Sequence, residues 1–262
     1  MPTARQLGRA TVITLIAGTV GGAALLAGEA VVARNRRYAK PEMGLALRTS
    51  MGPDSAPPLR LVMMGDSSAL GVGVDQLTDT IGGQLAQMLA DGTTGAAPRH
   101  VHLSSVGVSG SRSTDLATQV ARALLGGRPD VAVILIGAND VTSLRRPTEA
   151  AAYLGAAVRR LRDAGVEVVV GTCPDLGAAR AIAPPLRQIA GWLGRRVGRA
   201  QTKAVEAAGG TVVDLATETG AVFRADAGTL CYDGFHPSAD GYRVWAHALL
   251  PAVIRAAVPT TR

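Results

Sequence analysis

Aromatic side chains make up 3% of the 262 residues. A folded core must therefore be built from Ala, Val, Leu and Ile, and an extended sugar-stacking groove has little to stand on. Cysteine is scarce too. Cys173 and Cys231 are the two, and neither belongs to a Cys-x-x-Cys pair, which removes a zinc-ribbon or thioredoxin-type reading. They are read as independent thiols, with a disulfide as the alternative if the domain is exported. No Gly-Lys-Ser/Thr follows a glycine-rich loop, so a nucleotide-binding P-loop is absent. Gly71-Val72-Gly73 lacks the remaining glycine of a dinucleotide-binding turn. The net charge is +7, but its arginines are scattered along helical stretches. They come without aromatic interleaving, helix-turn-helix pattern or zinc spacing, so no nucleic-acid partner is expected.

Hydrophobic residues at 47%, with 32 Gly and 14 Pro, suit a globular α/β protein and are too apolar for a disordered chain. Residues 10–28 carry no charge, and Arg5 and Arg9 precede them. That length suits a short transmembrane helix, read as an uncleaved anchor with a cleaved signal peptide as its rival. Arg34, Arg36, Arg37 and Lys40 outnumber the basic side chains in front, so the positive-inside rule favours a cytoplasmic domain. The reading leans the other way, to a membrane-anchored or secreted, extracytoplasmic domain. Residues 1–40 are thus the anchor or signal segment with basic flanks. Residues 41–58, with Pro41, Gly44, Gly52, Pro53, Pro57 and Pro58, are a linker, and 59–262 are the folded domain.

Apolar runs at 59–64, 100–104, 130–136, 166–172 and 211–215 alternate with helical patterns at 80–91, 113–125, 148–164, a long stretch through residue 200, and 238–257. The runs around Val133 and Val168 are continuous, as strands buried on both faces are. Strand–helix alternation predicts a five-stranded parallel sheet between two helical layers, joined by right-handed crossovers. In such a sheet the carboxyl ends of the strands share one rim. Ser67, Gly107, Asn139, Cys173 and the Asp233/His236 pair should all converge there.

Gly65-Asp66-Ser67-Ser68 places a serine where the first buried strand ends. A serine hydroxyl becomes a nucleophile when a neighbouring base takes its proton. Four histidines are available. His100 and His102 open a strand and belong on the opposite rim, and His247 falls inside the last helix, half-buried. His236, in a loop before that helix, is the expected base. Asp233 can fold back onto its other ring nitrogen and orient it. The backbone N–H groups of Ser67 and Gly107 and the Asn139 carboxamide are the expected donors to an oxyanion. Each fragment alone has an ordinary reading as a turn or cap; their joint order carries the inference. Asp66 is read as structural.

These fragments resemble the SGNH (GDSL) hydrolases, a family of serine esterases and lipases. The matching residues are Gly65-Asp66-Ser67, Gly107 within Val106-Gly107-Val108-Ser109-Gly110, Gly137-Ala138-Asn139-Asp140, and Asp233-Gly234-Phe235-His236 followed by Pro237-Ser238. Ser105 stands where many members carry asparagine. The resemblance implies a three-layer α/β/α flavodoxin-like domain. It makes Ser67 the nucleophile and first oxyanion donor, completes the hole with Gly107 and Asn139, and gives Asp233 and His236 the roles of orienter and base. It implies no metal or organic cofactor. The Gly-x-Ser-x-Gly elbow of the other large esterase fold is absent. The expected activity is cleavage of small-molecule or lipid acyl esters through an acyl-enzyme. The alternatives are an acyltransferase or thioesterase with the same triad, or an inert binding module of the envelope.

Overall fold

The computed structural model describes residues 21–40 and 48–258. Its sheet has six strands: β1 (Arg48–Met51), β2 (Pro58–Gly65), β3 (His100–Ser105), β4 (Val131–Leu135), β5 (Glu167–Gly171) and β6 (Thr211–Val213). Their spatial order is β1-β3-β2-β4-β5-β6. The last five in that order are mutually parallel, and β1 pairs antiparallel with β3. The expected five-stranded sheet and the expected 41–58 linker are both corrected by β1. It is a short edge strand, Arg-Thr-Ser-Met, with alternating exposed and half-buried positions, so it carries no apolar run to read.

The alternation along β2 explains why the sheet has two helical layers. Leu59, Leu61 and Met63 enter one core, while Val62 and Met64 enter the other. β4 divides in the same way, with Val131 and Val133 on one side and Ala132 and Ile134 on the other. Strands covered on both faces need no polar side, hence their unbroken apolar sequence. Helices α1 (Ile81–Ala90) and α7 (Ala239–Ala257) cover the first face. Helices α2 (Leu116–Leu125) and α4 (Pro147–Asp163) cover the second, joined there by the end of α5 (Leu186–Ala207). The short α3 (Ala138–Thr142) follows β4 directly.

The chain returns across the sheet between β2 and β4, which makes their shared carboxyl end the topological switch point where open α/β sheets bind ligands. One helix was not anticipated. α6 (Leu215–Ala225) separates β6 from the Asp233–His236 loop, so that loop follows a helix and not a strand. His247, expected half-buried, is exposed on α7. His100 and His102 do lie at the start of β3, stacked edge to face at 4.7 Å. Among the described residues no group of three or more His, Cys, Asp or Glu is arranged to hold a metal ion.

Residues 21–35 are helical and continue through a bend into an irregular stretch to residue 40. Among the described residues no helix is long and apolar enough to cross a membrane. Residues 10–20 of the expected membrane segment lie outside the described residues.

Candidate active site

The β2 terminus delivers Ser67. Gly65 has φ +128° and follows the strand to its last register partner, Leu135. A Cβ there would lie 1.8 Å from the Leu135 carbonyl oxygen, so only glycine lets β2 and β4 stay paired up to the turn. The Asp66 N–H then donates to that same carbonyl at 3.1 Å. Asp66 turns the chain into a 3₁₀ turn, Ser67–Leu70, by accepting from the Ser68 N–H at 2.9 Å. This fits the structural role expected of it. Burial pushes its carboxyl up to about 6, partly offset by the Ser68 N–H.

A second loop delivers the histidine. Asp233 organises it by accepting from the N–H groups of Phe235 and His236 at Oδ1, at 2.7 and 2.9 Å. Its Oδ2 accepts from His236 Nδ1 at 2.6 Å and from the Ala39 N–H at 2.9 Å. Burial alone would raise this carboxyl. The hydrogen bonds from His236, Ala39 and Phe235 hold it well below the usual carboxylate range. With Nδ1 committed as donor to a carboxylate, Nε2 is the acceptor tautomer, and it faces Ser67 Oγ at 3.0 Å. Ser67, Asp233 and His236, 169 residues apart at the widest pair, thus form one hydrogen-bonded line. All three are less than one-tenth exposed, so little water screens the line.

Gly107 and Asn139, the expected oxyanion donors beside Ser67's own N–H, sit just after the ends of β3 and β4. Gly107 follows β3 and packs on the peptides before Ser67, where an added Cβ would sit 3.1 Å from Ala69 Cβ and 3.4 Å from the Asp66 carbonyl. Its N–H donates to Ser105 Oγ at 3.3 Å, the side chain that stands where many members carry asparagine. Asn139 rides on α3, with Nδ2 donating to the Ser111 carbonyl at 3.0 Å. A carboxamide has a second N–H besides the one spent on Ser111. Next to it Asp140 is fully buried and accepts from the Ser113 N–H and Oγ, fixing the start of α3 against the loop before α2.

Two buried glutamines were not singled out from the sequence. Gln119 of α2 bonds both backbone groups of Gly65. Gln201 of α5 accepts from the Cys173 N–H at 2.8 Å and donates to the Ile136 carbonyl at 2.9 Å. They brace the strand ends from which the site loops spring. The available signal was an amide inside an apolar helical stripe: Leu116, Val120 and Ala123 surround Gln119, and Val197 and Val205 surround Gln201.

Cys173 follows β5, and its thiol and that of Cys231 are free. Burial raises both, Cys231 to about 11, so neither offers a thiolate near neutral pH. An apolar recess opens beside the triad, lined by Ser68, Ala138, Leu176, Ala179, Phe235 and His236.

The chain has relatives. Residues 63–244 match the GDSL-like lipase/acylhydrolase family model. The GDSL-like esterase Rv1075c of Mycobacterium tuberculosis is 42% identical over 197 residues, which are 74% of this chain and 62% of the relative. The chain therefore spans less than two thirds of that relative's length. Among solved structures, TesA superposes with a TM-score of 0.61 at 19% identity, over 75% of this chain and 99% of its own. A single-residue variant of Axe2, an acetyl-xylooligosaccharide esterase from Geobacillus, does so at 0.58 and 19%, over 80% and 97%. These two likenesses speak for the fold. The family match spans Ser67, Gly107, Asn139, Asp233 and His236 together, and by it the chain belongs to the GDSL-like lipase/acylhydrolase family.

Proposed function

We propose that this chain is a serine esterase that cleaves small acyl esters through an acyl-enzyme. The hydrogen-bonded line from Ser67 Oγ through His236 to Asp233 carries the reading. Ser67 Oγ attacks the ester carbonyl carbon while its proton passes to His236 Nε2. Asp233 holds the imidazolium that forms. The carbonyl oxygen, now an anion, takes hydrogen bonds from the Ser67 N–H, the Asn139 carboxamide and the Gly107 N–H, which gives up its long contact with Ser105 Oγ for the anion. The tetrahedral adduct collapses, and the alcohol leaves with the proton from His236. Water then gives a proton to His236 and attacks the acyl-serine; the second adduct collapses, Ser67 Oγ leaves with that proton from His236, and the carboxylic acid is released. No step needs a metal or organic cofactor.

The recess beside His236 suits the acyl group, because apolar side chains, among them Ala138, Leu176, Ala179 and Phe235, make up most of its wall. The mycobacterial relative carries the name of an esterase, which agrees with ester hydrolysis. Hydrolysis of a chain-length series of p-nitrophenyl esters by the full chain, beside Ser67→Ala, tests the reading. Turnover and fluorophosphonate labelling are expected in the parent and absent in the variant. A folded parent that neither turns over nor labels overturns it and favours an inert binding module.

A membrane-tethered or exported placement belongs to this proposal on sequence alone, from the uncharged run 10–28 behind Arg5 and Arg9. Cell fractionation tests it. The full chain should pellet with membranes and leave them with detergent rather than high salt, and a soluble full-length chain speaks against the tether.

A further inference from the structure

Asp233 is held from two sides. Oδ1 is bonded within its own loop, by the N–H groups of Phe235 and His236. Oδ2, the oxygen that faces His236 Nδ1, also accepts from the N–H of Ala39, which lies 194 residues earlier in the chain. Ala39 is buried and packs with Leu70 and Val72, just beyond the Ser67 turn. Tyr38 sets its ring edge to face on Phe235 at 5.4 Å and on His236 at 6.3 Å.

The stretch leading to these residues is anchored at two further points. Glu29 Oε2 accepts from the Leu186 N–H at 2.9 Å, capping the start of α5. Arg36 Nη1 donates to the Ala181 carbonyl at 2.6 Å. The N–H of that same Ala181 donates to the Gly234 carbonyl at 2.9 Å, inside the catalytic loop. Tyr38 Oη donates to the Ala33 carbonyl at 2.8 Å and closes the stretch on itself. Glu29, Ala33, Arg36, Tyr38 and Ala39 lie outside 63–244, the part that matches the family.

We propose that residues 29–39 form a strap belonging to the active site, in which the Ala39 N–H is a positioning group for the Asp233 carboxylate and Tyr38 walls the side of His236. This inference rests on the serine-esterase reading. A carboxylate bonded only from its own loop can swing with that loop. A donor from a separate, independently anchored segment fixes where Oδ2 sits and so fixes the imidazole plane. Misplacement of a catalytic group by an ångström costs rate rather than substrate affinity. The strap is therefore expected to act on kcat.

The full chain carries the test, with kcat counted per fluorophosphonate-reactive site on p-nitrophenyl acetate. Ala39→Pro removes the N–H, and Ala39→Gly keeps it. Ala39→Pro should lower kcat at least tenfold with KM within threefold, and Ala39→Gly should stay within twofold of the parent in both. Glu29→Ala combined with Arg36→Ala releases the strap at its remote anchors and should lower kcat at least threefold. If Ala39→Pro does not fold, the double variant alone decides. Unchanged kcat in the folded variants overturns the proposal, including the case in which only the melting temperature falls. A parent without turnover or labelling would instead sink the esterase reading itself, which separates the two failures.

Discussion

Gln119 holds both backbone groups of Gly65: its Nε2 donates to the Gly65 carbonyl at 2.8 Å and its Oε1 accepts from the Gly65 N–H at 2.7 Å. Gly65 is the last residue of β2, two residues before Ser67. A helix side chain thus substitutes for the sheet partner that the strand loses where it turns away. Backbone groups this deep must be paired, and for the Gly65 N–H the Gln119 side chain supplies the partner.

Replacing Gln119 by leucine keeps the volume and removes both bonds to Gly65, together with the one from Nε2 to Ser111 Oγ at 3.1 Å, whose hydroxyl can turn to another partner. The Gly65 carbonyl retains the Val108 N–H at 3.1 Å, so the Gly65 N–H is the group left exposed to the penalty. An orphaned buried donor costs about 1–3 kcal/mol. Chemical denaturation of Gln119→Leu should show a loss in that range with an unchanged m-value. Parent-like stability would mean that another group, or water, satisfies Gly65.

Asp233→Asn tests the tautomer rather than the charge alone. The carboxylate Oδ2 accepts from His236 Nδ1, and an amide nitrogen at that place would make Nδ1 the acceptor. Nε2 would then carry the proton toward Ser67 Oγ and could not receive another. A fall in kcat of about a thousandfold or more is expected. Ester hydrolysis under single-turnover conditions reads it, and a fall under tenfold would remove Asp233 from the orienting role.

Asn139→Ala separates oxyanion stabilisation from binding. The carboxamide should meet the substrate oxygen more strongly once charge develops on it, so kcat should fall about a hundredfold or more with KM little changed. The variant also frees the Ser111 carbonyl, a bond at the rim that affects stability and not the rate per folded molecule. A parallel rise in KM with kcat intact would make Asn139 a binding residue instead.

Ser67, Asp233 and His236 were legible because chain order and local chemistry agree on them. A long apolar run leads into Gly65, and Ser238 caps the last helix by accepting from the Gly241 N–H just after His236. The parts that were not legible lack such signals for identifiable reasons. β1 is an edge strand half open to solvent, so its side chains need not be apolar. Helix α6 places Leu215, Thr219, Gly220 and Phe223 inward, and two of these four give no hydrophobic period. Ala39 contributes a backbone N–H, which every residue but proline possesses, so no reading of side chains could find it.

Asp66 supplies a pH signature of its own. Burial raises its carboxyl from 3.8 to about 6, so the folded state holds a proton that the unfolded state has released between those values. Stability must then fall as pH rises through that window, by about 3 kcal/mol in all for a shift of about two units. Asp66→Asn keeps an oxygen to accept from the Ser68 N–H and has no proton to lose. Asp233, whose carboxyl is held low, contributes stability that is present above 3.8 and lost as pH falls through its folded value. That contribution is shared by parent and variant and cancels between them. Denaturation of both at intervals from pH 4 to pH 7 should therefore give curves that coincide at the acid end and separate with rising pH, the asparagine variant becoming the more stable. Curves that run parallel across the whole range would show that Asp66 titrates like an exposed carboxyl, and that the turn beneath Ser67 is open to water.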